Sequence, residues 1–388
     1  MSEFVSDGGK ESQQSARIEG EDIDHEKEVT ALGTVNASSE NETEEEGKVE
    51  ETLKEFDNLV PHNDGHGHNH DHSHCHNHEE DEVKDFPVVT PADVIEIDPD
   101  SAELFIVGTA NGFQKITKIA GLEGLVKLKE LTLQSCLVSK MEGLESLSSL
   151  RKLSLYDNQI LSLVVSPSLR ELRVLDMSYN LIKSTAALVA CPHLEEVYVA
   201  QNRLRAIEGF EGMSSLRKLD LGANRIRSMA GLESCTSLEE LWLGKNKIFE
   251  IAHVSTLTNL RRLDVQNNRL SAIKGLEGLT ELRELYLAHN VIEMGAGLET
   301  QVNLDTLDLS RNKLRDFTGL HLLTELTDLW MSGNMVSSFD ALDMLQELKK
   351  LTCLYLEHNP IYKDYEYRKT LAKKLPTLTQ IDATGVTR

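Results

Sequence analysis

Apolar positions recur with one fixed spacing along most of the chain. Between residues 128 and 361, eleven segments share the order L-x-x-L-x-L-x-x-N-x-I, with minor replacements. Successive segments begin 22 residues apart, and only the last step is longer, at 25 residues. Apolar residues at alternate positions predict a short strand with one buried face. A fixed period of this length predicts a solenoid in which each repeat covers its neighbour.

A polar ladder accompanies the apolar one. The slot after each strand holds Asn158, Asn180, Asn202, Asn224, Asn246, Asn268, Asn290, Asn312, Asn334 and Asn359, with Cys136 in the first segment. This is the leucine-rich-repeat signature, and we expect the asparagines to satisfy backbone groups at the turn. The connections of about eleven residues leave room for 3₁₀ turns only. The sequence predicts an α/β solenoid: a leucine-rich-repeat horseshoe of about 11–12 repeats, with parallel strands on its concave face.

The ends of the chain depart from the repeat. Residues 1–90 are acidic and poor in aromatics, which predicts a disordered tail because so little apolar surface can be buried. Residues 91–127 are expected to form an N-terminal cap and first repeat, residues 128–359 the repeats, and residues 360–388 a C-terminal cap. In that cap, Asp364–Leu375 is predicted to be an amphipathic helix with Asp364 as its N-cap and Pro376 after its end. The three extra residues of the last repeat predict a helical turn.

Charge is concentrated in the tail. Residues 1–100 hold 29 acidic and 6 basic residues, so the remainder holds 64 − 29 = 35 acidic and 40 − 6 = 34 basic residues. A nearly neutral repeat body without a Lys/Arg run predicts no nucleic-acid partner. No apolar window reaches membrane-spanning length, and the start lacks a signal peptide. The cysteines of the repeats are expected to lie too far apart to form a disulfide, which favours a location in the nucleus and cytoplasm.

The residue between the second and third leucines of each segment should face outward on the concave side, because side chains alternate along a strand. This column reads Thr132, Ser154, Asp176, Tyr198, Asp220, Trp242, Asp264, Tyr286, Asp308, Trp330 and Tyr355. Asp and aromatic residues alternate from Asp176 to Trp330. Ordinary strand propensity is one explanation of the aromatics. Strand propensity does not explain why Asp occurs in strands, or why both tryptophans of the chain occupy an exposed face. We therefore predict a protein-binding surface.

The partner expected for this column is rich in Lys/Arg and apolar groups. Successive aromatic residues are predicted to lie about 10 Å apart, at twice the strand spacing. The neighbouring outward column reads Glu130, Lys152, Val174, Glu196, Lys218, Glu240, Arg262, Glu284, Thr306, Asp328 and Cys353. Its mixed charge predicts a solvated flank.

A histidine tract lies within residues 62–78 of the tail. It comprises His62, His66, His68, His70, His72, His74, His76 and His78, with Asp64, Asp71 and Cys75 between them. Imidazole is a common ligand of zinc and related metals. Two interpretations stay open: a polar low-complexity tract with weak divalent metal affinity, or a metal-buffering or metal-sensing segment. No other cofactor is expected. Because phosphate-binding, zinc-protease and nucleophile-elbow motifs are absent from the sequence, we predict that the chain is not an enzyme.

Several segments carry a family likeness, among them LYDNQI, LGKNKI, LRELYLAHN, LYLEHNPIYKDYEYR and the ending LPTLTQIDATGV. Together with the repeat, they closely resemble the leucine-rich-repeat regulatory subunits of type-1 protein phosphatase (the regulatory subunit 7 family). The likeness covers roughly residues 105–388, about three quarters of the chain. The histidine tract lies outside the family pattern.

The resemblance implies that the concave face binds the phosphatase catalytic subunit. The family's contact positions fall on Asp176, Tyr198, Asp220, Trp242, Asp308, Asp328, Trp330 and Tyr355, and Asp264 and Tyr286 extend the same column. Tyr198 and Trp242 stand where the family usually has Phe, and Asp220 and Asp328 where it usually has Glu.

The predicted function is therefore that of a non-enzymatic regulatory subunit of a type-1 serine/threonine phosphatase, monomeric outside the complex. Two alternatives remain. One is an adaptor of the cytoskeleton or ciliary axoneme, where similar repeats occur. The other is a metal-handling protein that acts through its histidine tract.

Overall fold

A computed structural model describes residues 87–108 and 115–386 of the chain. The histidine tract and residues 1–86 of the predicted tail lie outside these ranges. The described residues contain one sheet of 14 strands in sequence order. The strands are β1 (Glu103–Val107), β2 (Glu130–Gln134), β3 (Lys152–Ser154), β4 (Val174–Asp176), β5 (Glu196–Tyr198), β6 (Lys218–Asp220), β7 (Glu240–Trp242), β8 (Arg262–Asp264), β9 (Glu284–Tyr286), β10 (Thr306–Asp308), β11 (Asp328–Trp330), β12 (Cys353–Tyr355), β13 (Gln380–Ile381) and β14 (Thr384–Gly385).

Neighbouring strands are parallel, and equivalent positions of successive repeats lie directly side by side. Leu153 pairs with Leu131 on one side and Leu175 on the other, and only β13 and β14 pair antiparallel. The leucines form a continuous buried core, since Leu153 and Leu175 have no solvent exposure. The predicted parallel solenoid with a 22-residue period is confirmed.

The asparagine ladder holds successive repeats together. The Nδ2 of Asn180 donates to the carbonyl oxygens of Leu155 and Met177 at 2.9 and 3.1 Å, while its Oδ1 accepts from the Ile160 N–H at 2.9 Å. The other asparagines from Asn158 to Asn359 make equivalent bonds. Each side chain therefore satisfies buried backbone groups both in its own turn and in the preceding repeat, which extends the predicted role.

The convex side is thin, as the short connections require. Among the described residues, five segments form 3₁₀ helices: Leu169–Glu171, Ala186–Ala190, Leu320–Leu322, Phe339–Glu347 and Pro360–Lys363. The extra residues of the last repeat thus lengthen a 3₁₀ helix and do not produce an α-helical turn.

A short N-terminal cap precedes the first strand. Helix Pro91–Val94 follows Thr90, whose backbone N–H donates to the Asp93 carboxylate at 2.7 Å. Val89 is buried, its N–H donates to Thr117 Oγ1 at 2.9 Å, and its carbonyl accepts from the Thr117 N–H at 2.9 Å. The cap therefore includes residues before the predicted boundary at 91.

The C-terminal helix spans Tyr367–Lys374, so its predicted start at residue 364 was wrong. Asp364 ends the 3₁₀ helix Pro360–Lys363 with extended backbone, and its Oδ1 accepts from the Glu366 N–H at 2.7 Å. The carboxylate therefore caps a turn before the helix, not the helix itself. No helix in the described ranges is long and apolar enough to cross a bilayer.

Asp382 closes the last repeat. Its Oδ1 accepts from the backbone N–H groups of Leu356 and Glu357 at 2.8 and 3.0 Å. In earlier repeats the N–H equivalent to that of Leu356 donates to a backbone carbonyl of the next strand, as Leu155 does to Asp176 at 2.8 Å. The Tyr367 hydroxyl donates to Asp382 Oδ2 at 3.2 Å, and burial together with this carboxylate raises the tyrosine pKa. The C-terminal helix is thereby fixed to the last repeat.

A candidate protein-binding face

The strand register brings the predicted column together on one face. Asp176 pairs with Tyr198, which pairs with Asp220, and the same order continues through Trp242, Asp264, Tyr286, Asp308, Trp330 and Tyr355. From Asp176 onward these side chains are neither buried nor fully exposed. They therefore form a continuous surface opposite the core.

Three aromatic rings form a cluster at the C-terminal end of this column. The ring centroids of Tyr286 and Trp330 lie 6.2 Å apart, and those of Trp330 and Tyr355 lie 6.4 Å apart, nearly edge to face. The first distance is shorter than the predicted separation of about two strand spacings. The Tyr286 and Trp330 side chains must therefore lean towards each other across the intervening strand of Asp308.

The indole nitrogen of Trp330 is part of this cluster. Its Nε1 is buried and has no hydrogen-bond partner among the described residues. The thiol of Cys353 interacts with this indole only as a weak acceptor, and burial raises the pKa of that thiol to about 11. A buried donor without an acceptor costs about 1–3 kcal/mol, so an acceptor supplied at this position would be bound favourably.

Two tyrosines of the column are held by glutamates of the neighbouring column. The hydroxyl of Tyr198 donates to Glu196 Oε2 at 2.9 Å, and that of Tyr286 donates to Glu284 Oε2 at 2.8 Å. Burial, followed by the hydrogen-bonded glutamate, raises the pKa of both tyrosines. Their rings are consequently fixed in place before any partner arrives.

The neighbouring column, predicted to be a solvated flank, forms an ion ladder of partly exposed side chains. Glu240 lies between Lys218 at 3.4 Å and Arg262 at 3.6 Å. Arg262 also donates to both carboxylate oxygens of Glu284, at 2.8 and 2.9 Å. Alternating charges on successive strands neutralise each other here, so this column contributes order more than net charge.

The aspartates of the concave column also have a structural role. The Oδ1 atoms of Asp176, Asp220, Asp264 and Asp308 each accept the backbone N–H two residues further along the chain, at 2.8–2.9 Å. This local bond is typical of Asp where a turn begins. It explains why Asp occurs at the end of a short strand, which strand propensity alone does not.

Burial makes two of these carboxylates, Asp264 and Asp308, harder to ionise. Burial, with a smaller contribution from the charges of Asp220 and Asp308, raises the pKa of Asp264 to about 6 against the hydrogen bonds from Gln266. Burial also raises the pKa of Asp308. The face therefore concentrates negative charge on a poorly solvated surface, where a cation from a partner would interact strongly.

Two further predicted residues contact the edges of the face. Tyr355 accepts from Gln380 Nε2 at 2.7 Å, so the C-terminal cap supports this ring. Asp328 accepts from Thr327 Oγ1 at 2.6 Å. At the other end, Tyr156 and Tyr179 have ring centroids 5.0 Å apart. This pair was not predicted from the sequence. The segments LYDN and MSYN place a tyrosine two residues and one residue before the ladder asparagine, respectively.

The metal-ligating and thiol side chains of the described residues are dispersed or buried. No group of three or more His, Cys, Asp or Glu residues there has the arrangement of a metal site. Cys136, Cys191, Cys235 and Cys353 are buried and unbridged. Burial raises the pKa of Cys191 to about 11, which disfavours the reactive thiolate.

Comparison with known proteins supports the repeat fold. Two family models match, a leucine-rich-repeat model over residues 192–248 and one of two repeat copies over residues 258–294. Human protein phosphatase 1 regulatory subunit 7 is 43% identical over 51 residues, which are 13% of this chain and 14% of that protein. The matched segment is thus a small part of either protein.

Two solved structures share the architecture. An internalin from Listeria monocytogenes superposes with a TM-score of 0.53 and 22% identity over 70% of this chain and 85% of its own. A leucine-rich-repeat protein from Leptospira interrogans gives a TM-score of 0.56 and 23% identity over 67% of this chain and 74% of its own. The chain is a leucine-rich-repeat protein with a fold suited to protein–protein interaction.

Proposed function

We propose that this chain is a non-enzymatic regulatory subunit that binds the catalytic subunit of a type-1 serine/threonine protein phosphatase through its concave face. The observation that carries the proposal is the ring cluster of Tyr286, Trp330 and Tyr355 next to the aspartate column. The partial similarity to a regulatory subunit of this phosphatase supports the choice of partner.

The face offers two kinds of contact to such a partner. Large aromatic side chains that are already fixed contribute strongly to binding because little conformational entropy is lost. Trp330 supplies the largest ring and an indole N–H that needs an acceptor. The half-buried aspartates would pair with Lys or Arg of the partner, so apolar and charged contacts would meet in one row.

Replacement of Trp330 tests the proposal. We expect Trp330→Ala to weaken binding of the purified catalytic subunit by about 2 kcal/mol or more, roughly 30-fold in Kd, measured by calorimetry. The matched control is Tyr365→Ala, because Tyr365 is 97% exposed and lies outside the strands, between the last 3₁₀ helix and the C-terminal helix. Wild-type affinity for Trp330→Ala would show that this ring is not an anchor.

Co-purification separates the proposed partner from the rival one. We expect the tagged full-length chain to recover a phosphatase catalytic subunit from cell extract, with the recovery lost for Trp330→Ala. Recovery of tubulin or dynein components in place of the phosphatase would favour the cytoskeletal adaptor.

A further inference from the structure

Basic side chains collect on the edge of the solenoid that follows the C-terminal ends of the strands. They occupy the positions one before, one after and three after each ladder asparagine. In the seven repeats from Asn180 to Asn312, these 21 positions hold eleven Lys or Arg residues and one acid, Glu293. This basic ridge comprises Lys183, Arg203, Arg205, Arg225, Arg227, Lys245, Lys247, Arg269, Arg311, Lys313 and Arg315.

The ridge could not be recognised as a run of charge in the sequence. Its equivalent members are 22 residues apart, whereas the parallel register brings them within about one strand spacing, roughly 5 Å, of each other. The absence of a Lys/Arg run in the repeat body is therefore compatible with a basic surface.

Ridge side chains are available at the surface. Arg205, Arg225 and Lys245 are exposed, and Arg203 is partly exposed. Within the described part of the chain these four form no ion pair, in contrast to Arg217 and Arg262, which pair with glutamates at 3.0 and 2.8 Å. The charges of these four side chains are thus left uncompensated, whereas Arg227, Lys247 and Arg269 of the ridge have interactions of their own.

The pKa of a histidine inside the ridge is affected by the positive potential of the ridge. Burial lowers the pKa of His289, and the charges of Arg311 and Lys245 lower it further. These two cations lie on either side of His289 in the column that precedes the asparagines. Their effect on one imidazole indicates that charges from different repeats act on the same region of the surface.

The backbone beneath the ridge is fixed. The N–H groups of Arg203, Arg225 and Lys247 donate to carbonyl oxygens of the preceding repeat at 2.8–2.9 Å. A row of cations at fixed spacing needs little reorganisation to bind a complementary row of anions.

We propose that the basic ridge binds an extended, Asp/Glu-rich polypeptide segment of a partner protein, on a surface separate from the concave face. Seven of its eleven cations are arginines, and the guanidinium group matches a carboxylate with two parallel hydrogen bonds. Seven repeats at one strand spacing span about 30 Å, the length of about ten extended residues.

A polypeptide fits this surface better than a nucleic acid. Proteins that bind single-stranded nucleic acid combine cations with successive aromatic stacking platforms. Of the 21 ridge positions, two hold Tyr or Phe: Tyr179 and Phe249, in repeats that are three apart. The ridge therefore offers no row of successive platforms.

A peptide-binding experiment tests the proposal. A fluorescein-labelled poly-glutamate peptide of about twelve residues is titrated with the full-length chain, and binding is measured by fluorescence anisotropy. We expect binding that weakens as salt increases. The variant Arg203→Glu/Arg225→Glu should bind about tenfold more weakly, because it loses two charge-assisted contacts of roughly 0.7 kcal/mol each.

The matched control is Arg151→Glu/Arg261→Glu. It changes the net charge by the same amount, and both arginines are exposed immediately before their strands, at the opposite end from the ridge. The control should bind within about twofold of wild type, since remote exposed charges are screened. Circular dichroism confirms that both variants are folded.

Three outcomes would overturn the proposal. Equally weakened peptide binding in both variants would show that the effect depends on net charge alone. If poly-glutamate did not bind the wild-type protein at low ionic strength, the ridge would not be a binding surface for acidic peptides. Tighter binding of an oligouridylate of equal length would assign the ridge to nucleic acid.

Discussion

A single asparagine of the ladder satisfies several backbone groups that water cannot reach. The Nδ2 of Asn246 donates to the carbonyl oxygens of Leu221 and Leu243, both at 3.0 Å, and its Oδ1 accepts from Ile226 at 2.9 Å. Asn246→Ala leaves these groups buried without partners. We expect a loss of about 3 kcal/mol in the free energy of unfolding, measured by urea denaturation.

The control for this prediction is an asparagine with one exposed bond. Asn259 Nδ2 donates to the carbonyl of Thr236 at 2.8 Å near the surface, so Asn259→Ala should change stability by no more than about 0.5 kcal/mol. Similar losses in both variants would mean that the ladder adds nothing special to stability.

Asp264 makes stability depend on pH. Its folded-state pKa of about 6 lies above the ordinary value of 3.8, so the folded protein binds the proton more tightly than the unfolded chain. The stabilisation is fully present below pH 3.8 and is lost as the pH rises through 6. Asp264→Asn should remove this loss and stabilise the protein at pH 7.5 by on the order of 2 kcal/mol.

The substitution is suited to the test because asparagine keeps an Oδ1 acceptor for the Gln266 N–H. Urea midpoints measured between pH 4 and 8 should show a flatter profile for Asp264→Asn than for wild type. Asp316→Asn, at an exposed side chain, serves as the control. If the two variants have the same profile as wild type, Asp264 is not the group that titrates.

The sequence predicts which residues line the concave face, because a fixed period and strand alternation determine the column. It does not predict how the side chains behave there. The lean of Tyr286 towards Trp330 and the bonds from each aspartate to a backbone N–H depend on local geometry. Asp382 escapes recognition for a related reason, since its carboxylate replaces a backbone carbonyl as the acceptor of the Leu356 N–H, outside any legible repeat.

At the scale of elements, a glycine controls the connection between repeats. Gly231 has φ = 105°, and a Cβ atom there would lie 2.3 Å from the carbonyl oxygen of Ile207. Gly231→Ala must displace the backbone of the preceding repeat. We expect it to lower the free energy of unfolding by about 2–4 kcal/mol, measured by urea denaturation.

Gly124 provides the control, because a Cβ atom there would meet nothing within 4 Å. Gly124→Ala should therefore alter stability by about 0.5 kcal/mol or less. His253 holds the slot equivalent to Gly231 with φ = 63°, which shows that a side chain is compatible with this slot in one repeat. Wild-type stability for Gly231→Ala would mean that its repeat adapts in the same way.

The C-terminal helix shows where local signals mislead. Asp364 has the residue type and position of an N-cap, yet the helix begins at Tyr367. Tyr367 is 3% exposed, packs edge to face on Tyr362 at 5.1 Å and bonds to Asp382. These contacts with the last repeat set the start of the helix, and they come from residues that no local cap pattern includes.

At the scale of the whole molecule, the solenoid brings chemistry from distant positions into rows. The concave column, the ion ladder and the basic ridge each collect residues that are 22 positions apart in sequence. Neighbouring rows differ in charge and polarity because each row consists of one position of the repeat, taken from every repeat in turn. One fold thus presents a carboxylate and aromatic face beside a cationic edge, and we propose a different kind of partner for each.

Proton exchange during binding provides a test of the concave face as a unit. In the free protein the pKa of Asp264 is about 6, raised first by burial and then by Asp220 and Asp308. A Lys/Arg-rich phosphatase surface placed on the column would lower that pKa, because an opposite charge favours the ionised form. Binding near pH 6 should therefore release a proton, and affinity should rise between pH 5 and pH 7.5.

Calorimetry at pH 6 in two buffers with different ionisation enthalpies measures this release. We expect a fraction of one proton per complex for wild type and a smaller value for Asp264→Asn, whose side chain cannot titrate. Asp316→Asn, outside the concave column, should release as many protons as wild type. Proton uptake on binding, or equal release by wild type and Asp264→Asn, would mean that the partner does not place its cations against the centre of the column.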